Sequence, residues 1–101
     1  MTDYGFIYCI SNPMISGIYY INYSHSNPYD ILDEMNTNEG NVFDNKIEII
    51  KRINNFELKG ELIESLLNQL GVCINPKRNF YEIDLSIIQG IFALIDGEWI
   101  N

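Results

Sequence analysis

Residues 5–23, with the sequence GFIYCISNPMISGIYYINY, place the tightest limit on how this chain folds. They contain two short runs rich in aromatic and β-branched residues, at 6–10 and at 18–23, and such runs are typical of β-strands. Residues that favour turns separate the two runs: Asn12, Pro13, Ser16 and Gly17. The sequence therefore predicts a β-hairpin.

In such a hairpin Tyr8 and Tyr20 fall on the same face, because side chains alternate between the two faces along each strand. The chain has seven tyrosines among 101 residues. Tyrosines on a sheet more often pack in a half-buried position than act in catalysis. Both interpretations of this pair stay open at this point.

Length and composition indicate one globular domain. With 101 residues, 47% hydrophobic composition and a mean hydropathy of −0.07, the chain fits a soluble core and does not fit a membrane span. We see no signal peptide, so a cytoplasmic protein is expected. Cys9 and Cys73 lack both C-x-x-C spacing and histidine companions, which favours buried thiols over a disulfide or a zinc site.

The charge balance argues against a nucleic-acid surface. Fourteen acidic residues stand against six basic ones, giving a net charge of −8 and an isoelectric point near 4.3. Nucleic-acid binders normally present Lys and Arg to phosphates. The hairpin has none, because every basic residue follows position 45: Lys46, Lys51, Arg52, Lys59, Lys77 and Arg78.

The remainder of the chain predicts a mixed order of helices and extended segments. In sequence these are a helix at 27–35, a loop at 36–41, a strand at 46–53, a helix at 58–70, a short connector, an extended segment at 79–83 and a helix at 85–95. Trp99 and Ile100 are expected to pack back on the body. This order predicts an α+β domain.

Residues that favour helix ends stand at the ends of the three predicted helices. Asn27 or Ser26 suits the N-cap of the first, with Pro28 at its first position. Asp84, or a Ser-x-x-Gln capping box that begins two residues later, suits the third. Gly71 is a natural stop for the second helix. That helix is predicted to pack one continuous apolar face on the sheet: Leu58, Leu62, Ile63, Leu66, Leu67 and Leu70.

Blocks near both ends of the chain resemble the GIY-YIG nuclease superfamily, in its T5orf172-type branch of short viral and phage domains. GFIY at 5–8 and YIN at 20–22 stand at the two tripeptides, with Asn22 in place of the family's glycine. Three blocks resemble giant-virus members: FIYCISNP at 6–13, INPKRNFY at 74–81 and DGE at 96–98. The resemblance implies a single domain over residues 1–101, with a small, twisted, mainly antiparallel sheet and flanking helices.

The resemblance also implies metal-assisted phosphodiester hydrolysis by two tyrosines, a helix arginine and a helix glutamate. Tyr8 and Tyr20 stand at the tyrosine positions. Ile31 stands at the arginine position and Gly60 at the glutamate position, while Glu64 replaces a following histidine. Ile31 offers no donor to a phosphate and Gly60 no oxygen to a cation. We therefore expect these to be vestigial positions in an inactive member, with no metal and no cofactor.

One alternative keeps a metal site. Glu64 lies one helical turn beyond Gly60, about 5–6 Å away on the same face, where it could bind a displaced ion. Glu61 points about 100° around the helix from Gly60. This alternative stays open.

Three functions remain open for such a chain. The first is protein binding, as an acidic, antitoxin-like inhibitor of an intact nuclease of the same family. The second is a divergent, active metal-dependent endonuclease, and the third is a structural or packaging component of a virus. A protein partner is expected, with no nucleic acid and no membrane, and a homo-oligomer is not excluded. In a viral protein the expected location is the host cytoplasm.

The expected docking surface is the cation-free segment 24–44. Its carboxylates would face the basic surface that a nuclease presents to its substrate. The plainer alternative is that the acidity only keeps a small domain in solution. The carboxylates expected to bind the partner are Asp30, Asp33, Glu34, Glu39 and Asp44.

Overall fold

In the part of the chain that the structure describes, six antiparallel strands form a single sheet, and three helices cover its two faces. The computed structural model describes residues 4–38, 45–75 and 79–100. Its elements are β1 (Tyr4–Asn12), β2 (Ile15–Ser24), α1 (Pro28–Asn38), β3 (Lys46–Asn54), α2 (Phe56–Leu70), β4 (Val72–Asn75), β5 (Phe80–Glu82), α3 (Leu85–Ala93) and β6 (Glu98–Trp99). The strand order is β4-β5-β2-β1-β3-β6. The predicted α+β class with a mainly antiparallel sheet is confirmed.

The predicted hairpin is present, and its strands are longer than expected. In the ladder between β1 and β2, Tyr8 pairs with Asn22 and Ile10 pairs with Tyr20. The turn is short because the Asn12 side-chain oxygen accepts a hydrogen bond from the Met14 amide at 2.8 Å. The prediction that the turn extends to residues 16 and 17 was therefore wrong, since both belong to β2.

Because side chains alternate between the two faces of the sheet, β1 contributes to two separate hydrophobic cores. One face of the sheet packs against α2 and α3, and the other packs against α1. Ile7 and Cys9 point to the first face, and Tyr8 and Ile10 point to the second. Cys9 is a free, fully buried thiol, as predicted, and burial raises its pKa.

The third predicted strand is present as β3, and the tail of the chain returns to it. In the ladder between β3 and β6, Lys51 pairs with Trp99. The Lys51 ammonium lies 4.2 Å from the centre of the Trp99 ring and donates a hydrogen bond to the Phe92 carbonyl at 2.8 Å. Lys51 is only 3% exposed, and its desolvation lowers its pKa. The prediction that the tail packs on the body is confirmed.

The prediction for the packing face of α2 was partly wrong. The buried residues of this helix are Phe56, Gly60, Ile63 and Leu67. Leu66 is half-buried against the same core. Three leucines of the predicted face are instead exposed: Leu58 is 70% exposed, Leu62 is 48% exposed and Leu70 is 56% exposed. The helix is rotated about its axis because Gly60, rather than a leucine, lies against the sheet.

Two further boundaries differ from the prediction. The expected connector after Gly71 contains β4, a short strand that pairs with β5. Helix α1 continues to Asn38 and so includes part of the expected loop. The rest of that loop lies outside the described residues.

The predicted N-cap positions of α1 and α3 are confirmed, but only the cap of α1 makes a side-chain hydrogen bond. Asn27 caps α1, since its side-chain oxygen accepts a hydrogen bond from the Tyr29 amide at 2.9 Å. Asp84 occupies the N-cap of α3, but its side chain makes no capping hydrogen bond. Its carbonyl accepts the amides of Ile87 and Ile88 instead.

Candidate functional site

Tyr8 and Tyr20 lie next to each other on the face of the sheet covered by α1. Their ring centroids are 6.2 Å apart, as strand alternation predicts. Ile31, from the first turns of α1, packs against the same cluster. Tyr8 is 1% exposed, and its burial, reinforced by Tyr20, raises its pKa. A phenol that is buried and held protonated is suited to packing rather than to activating water.

Asn22, which stands at the position where the family resemblance implies glycine, contributes to this cluster. Its side-chain amide donates a hydrogen bond to the Tyr20 hydroxyl at 3.2 Å. The Tyr20 ring also packs edge-on against Phe80 of β5, with centroids 5.5 Å apart. Tyr20 is therefore held by neighbours on its own strand and on the next strand of the sheet.

Gly60 and Glu64 lie on the opposite face of the sheet, together with Tyr23. Gly60 is buried against the Tyr23 ring. The Tyr23 hydroxyl donates a hydrogen bond to Glu64 Oε2 at 3.3 Å. The five positions implied by the family resemblance therefore form two groups. Tyr8, Tyr20 and Ile31 cluster beside α1, whereas Gly60 and Glu64 belong to α2 on the other side of the sheet.

A narrow cleft next to Glu64 brings together polar groups that sequence reasoning missed. Tyr23, Glu64, Asn79 and Tyr81 line it, and its volume of about 10 Å³ is on the scale of one water molecule. Burial raises the pKa of Tyr23, and the nearby Glu64 carboxylate raises it further. Burial also raises the pKa of Tyr81. The available signal was the alternation of β2, which places Tyr23 on the face opposite Tyr20.

The carboxylates of α1 form an exposed acidic surface. Asp30, Asp33 and Glu34 are all exposed, and this helix has no basic residue in its last turn. The other two predicted partner-binding residues, Glu39 and Asp44, lie outside the described residues. Across residues 4–38, 45–75 and 79–100, no group of three or more His, Cys, Asp or Glu side chains is placed to hold a metal ion.

Three of the four Lys and Arg side chains that the structure describes contact a backbone carbonyl or an aromatic ring. Lys51 is buried, as given above, and Lys59 donates to the Asp96 carbonyl at 3.1 Å. Arg52 stacks on the Tyr4 ring, with 4.2 Å between its guanidinium carbon and the ring centre. Lys46 lies 3.7 Å from Glu48, in an exposed ion pair. Lys51, Lys59 and Arg52 thus make contacts within the protein, whereas Lys46 and the α1 carboxylates face solvent.

None of the helices in the described part of the chain combines the length and apolar character needed to cross a bilayer. Comparison with protein-family models, with curated proteins and with solved structures finds no match to this chain.

Proposed function

We propose that this protein is a non-catalytic GIY-YIG-like domain that acts by binding another protein. Its partner is an active nuclease of the same family, which it inhibits in the manner of an antitoxin. The observation that carries the proposal is the difference in environment between the acidic side chains of α1 and the basic side chains. The α1 carboxylates are exposed, while three of the four described Lys and Arg side chains contact a backbone carbonyl or an aromatic ring.

The arrangement of the family positions supports a non-catalytic role. A nuclease of this type needs its tyrosines, its phosphate-binding cation and its metal ligand around one phosphate. Here Tyr8 is buried among apolar side chains that include Ile31. Glu64, the nearest candidate ligand, belongs to a helix on the other face of the sheet.

The geometry of α1 supports the choice of partner. Asp30, Asp33 and Glu34 are spaced three and four residues apart, so they lie on one side of the helix. A rigid row of carboxylates resembles a row of phosphates in charge, and it can occupy the basic surface that a nuclease offers to its substrate. Opposite potentials speed such an association and make it sensitive to salt.

A mixing experiment tests this function. The probe is the intact GIY-YIG nuclease closest to this chain in sequence, and the readouts are the mass of the complex and the rate of plasmid cleavage. At about 50 mM salt we expect a complex and slowed cleavage, and both effects should weaken by tenfold or more near 500 mM. Free monomers at low salt together with unhindered cleavage would overturn the proposal and favour a structural role.

Matched charge variants locate the surface. The triple variant Asp30→Asn, Asp33→Asn, Glu34→Gln should lose inhibition. The control changes three exposed carboxylates elsewhere, Glu57→Gln, Glu61→Gln and Glu98→Gln, and so alters the net charge equally. If both variants lose inhibition to the same extent, net charge rather than α1 determines binding, and the docking surface is wrong.

One observation favours a second candidate, a divergent metal-dependent nuclease. The hydrogen bond between Tyr23 and Glu64 lies beside the narrow cleft and places a phenol and a carboxylate together near solvent. Such a pair could orient a water molecule or contribute one ligand to a cation.

A further inference from the structure

We propose that the narrow cleft beside Glu64 binds a primary alkylammonium group, which is the head group of a lysine side chain or of a small amine. We call the space lined by Tyr23, Glu64, Asn79 and Tyr81 the Glu64 cleft. It lies between α2 and the sheet, on the face opposite α1. The inference is therefore independent of the proposed nuclease partner, which would contact α1.

The Glu64 cleft forms where the sheet narrows. Strand β5 pairs with only three residues of β2, 18–20, and the Asn79 carbonyl accepts one further hydrogen bond from the Ile21 amide at 3.0 Å. The end of β2 therefore extends beyond β5. Helix α2 packs across this end, where Gly60 lies against the Tyr23 ring. A small opening remains between the helix and the sheet, beside that ring.

Two phenols and one carboxylate supply hydrogen-bond acceptors to the cleft. The Glu64 carboxylate accepts a hydrogen bond from Tyr23, and a carboxylate has acceptor positions for about four. The Tyr81 ring is 3% exposed, and its hydroxyl has no hydrogen-bond partner among residues 4–38, 45–75 and 79–100. A hydroxyl on so deeply buried a side chain normally has one. Acceptors on Glu64 and Tyr81 are thus left for a ligand that donates hydrogen bonds.

The charge of the cleft favours a cation. Burial raises the pKa of Tyr81, and nearby groups that include the Glu64 carboxylate raise it further. Because the pKa of Tyr23 is raised as well, both phenols stay neutral at physiological pH. The described residues that line the cleft include Glu64 but no Lys or Arg. An anionic ligand would therefore be repelled, whereas a cation would be attracted.

Size and hydrogen-bonding capacity favour an ammonium among the cations. The volume of about 10 Å³ is on the scale of one water molecule, and an ammonium head group is of similar size. An ammonium has three donors and no acceptor, which matches a site made of acceptors. A guanidinium is larger and planar. A divalent metal ion prefers several charged oxygen ligands, and Glu64 is the one carboxylate among the described residues that line the cleft.

The apolar wall of the cleft suits the carbon chain that an alkylammonium carries. Ile21, Ile63 and Leu67 are buried, and they line the cleft together with the polar groups. Methylene groups next to the charged nitrogen can pack on these side chains while the nitrogen reaches Glu64, as the stems of lysine side chains do on other protein surfaces. A water molecule also fits the volume, and it is the occupant from which an experiment must distinguish the ammonium.

Titration of the full chain with n-butylammonium chloride, followed by amide NMR spectra, tests the proposal. We expect saturable shifts at Tyr23, Glu64 and Tyr81. The dissociation constant should be on the order of 1–10 mM, because a single charge pair at an exposed carboxylate contributes little. Tetramethylammonium chloride has the same charge but no N–H donor, so it should cause no saturable shift at these residues.

Matched variants assign binding to the Glu64 cleft. Glu64→Gln should raise the dissociation constant about tenfold or more, because it removes the negative charge. Tyr81→Phe should raise it about threefold, because it removes one acceptor. The control is Glu61→Gln, which changes the net charge equally at an exposed carboxylate of the same helix, and it should leave the constant unchanged. The same spectra report whether each variant is folded.

A second probe distinguishes the two sources of the head group. In Nα-acetyl-lysine methylamide the ammonium stands on a side chain that is flanked by peptide groups. If it binds as n-butylammonium does, the cleft takes lysine side chains of a partner protein. If only n-butylammonium binds, the cleft takes small amines.

Three outcomes would overturn the proposal. The first is the absence of saturable shifts at about 100 mM n-butylammonium, which would leave water as the occupant. The second is an equal response to tetramethylammonium. The third is undiminished binding of n-butylammonium to Glu64→Gln.

Discussion

Gly60 lies directly against the ring of Tyr23, with no space left for a side chain. An ideal Cβ on Gly60 would stand 2.8 Å from Cγ of Tyr23 and closer still to the neighbouring ring carbons. The ring cannot retreat freely, since Phe56 packs against it with centroids 5.3 Å apart. The family resemblance treats Gly60 as a lost metal ligand. The packing supplies a structural explanation for glycine at this position, because a larger residue would prevent the close approach of α2 to β2.

Gly60→Ala should therefore destabilise the protein even though alanine is the better helix former. We expect a loss of about 1–3 kcal/mol, because overpacking outweighs the gain in propensity. The matched control is Gly90→Ala, where a Cβ meets nothing. It should stabilise by about 0.5–1 kcal/mol. Urea unfolding at about 1 µM protein measures both. Equal shifts for the two variants would contradict the close contact.

Lys51→Ala should cost about 2–3 kcal/mol, because it leaves the Phe92 carbonyl without its charged donor and removes packing from Trp99. Lys46→Ala is the control, since the Lys46 side chain is 74% exposed, and it should change stability by less than about 0.5 kcal/mol. Trp99 is the only tryptophan, so its emission spectrum reports the same site. An unchanged spectrum in Lys51→Ala would argue against the stacked arrangement.

The protein should lose stability as pH rises above about 10. Burial raises the pKa of four tyrosines above the ordinary value of 10.0, and these are Tyr8, Tyr19, Tyr23 and Tyr81. A phenol with a higher pKa in the folded state stabilises fully below the unfolded value, and this stabilisation is lost as pH rises. The buried thiol of Cys9 acts in the same direction from about pH 9. The lowered pKa of Lys51 acts in the opposite direction, but it is one group against five.

Urea midpoints at pH 8 and pH 10.5 measure this loss. Tyr8→Phe should reduce the difference between the two midpoints, because it removes a phenol that must ionise on unfolding at high pH. Tyr29→Phe, at an exposed ring, is the control and should leave the difference as in the wild type. A wild type that is equally stable at both pH values would show that the raised pKa values are wrong.

The purified protein should not cleave plasmid DNA or RNA with Mg²⁺ or Mn²⁺. The reason is that Ile31 and Gly60 stand at the arginine and glutamate positions that the family resemblance implies, and Gly60 has no room for a side chain. Steady nicking that Tyr8→Phe abolishes would falsify this prediction. Nicking that Glu64→Gln or Tyr23→Phe abolishes, with Tyr8→Phe still active, would instead identify the cleft beside α2 as the active site.

The sequence predicted the central part of the fold well because its signals are local. Alternating aromatic and β-branched residues define β1 and β2, and the turn between them is closed by Asn12. The same alternation correctly placed Tyr8 and Tyr20 together. Strand β4 was missed because four residues give little periodicity, and because it is defined by pairing with β5 rather than by its own sequence.

The candidate site was harder to predict because it depends on which face of the sheet each helix covers. Periodicity marks the apolar side of a helix but does not say where the chain crosses the sheet. Helix α1 follows β2 onto one face, and α2 follows β3 onto the other. The family resemblance grouped Glu64 with Tyr8 and Tyr20, whereas in the structure its hydrogen-bond partner is Tyr23.

The position of the longest strands has a consequence for aggregation. β1, β2 and β3 are nine or ten residues long and lie inside the sheet, whereas the two edge strands, β4 and β6, have four and two residues. Residues 4–24 contain no charged side chain and are rich in Ile and Tyr, the composition that favours stacking into amyloid-like fibrils. β1 is paired along both sides, with β2 and with β3, so its backbone is not open to intermolecular pairing while the fold is intact. Any opening that exposes β1 would remove that protection, so destabilised variants such as Gly60→Ala should form insoluble β-structure sooner than the native protein does.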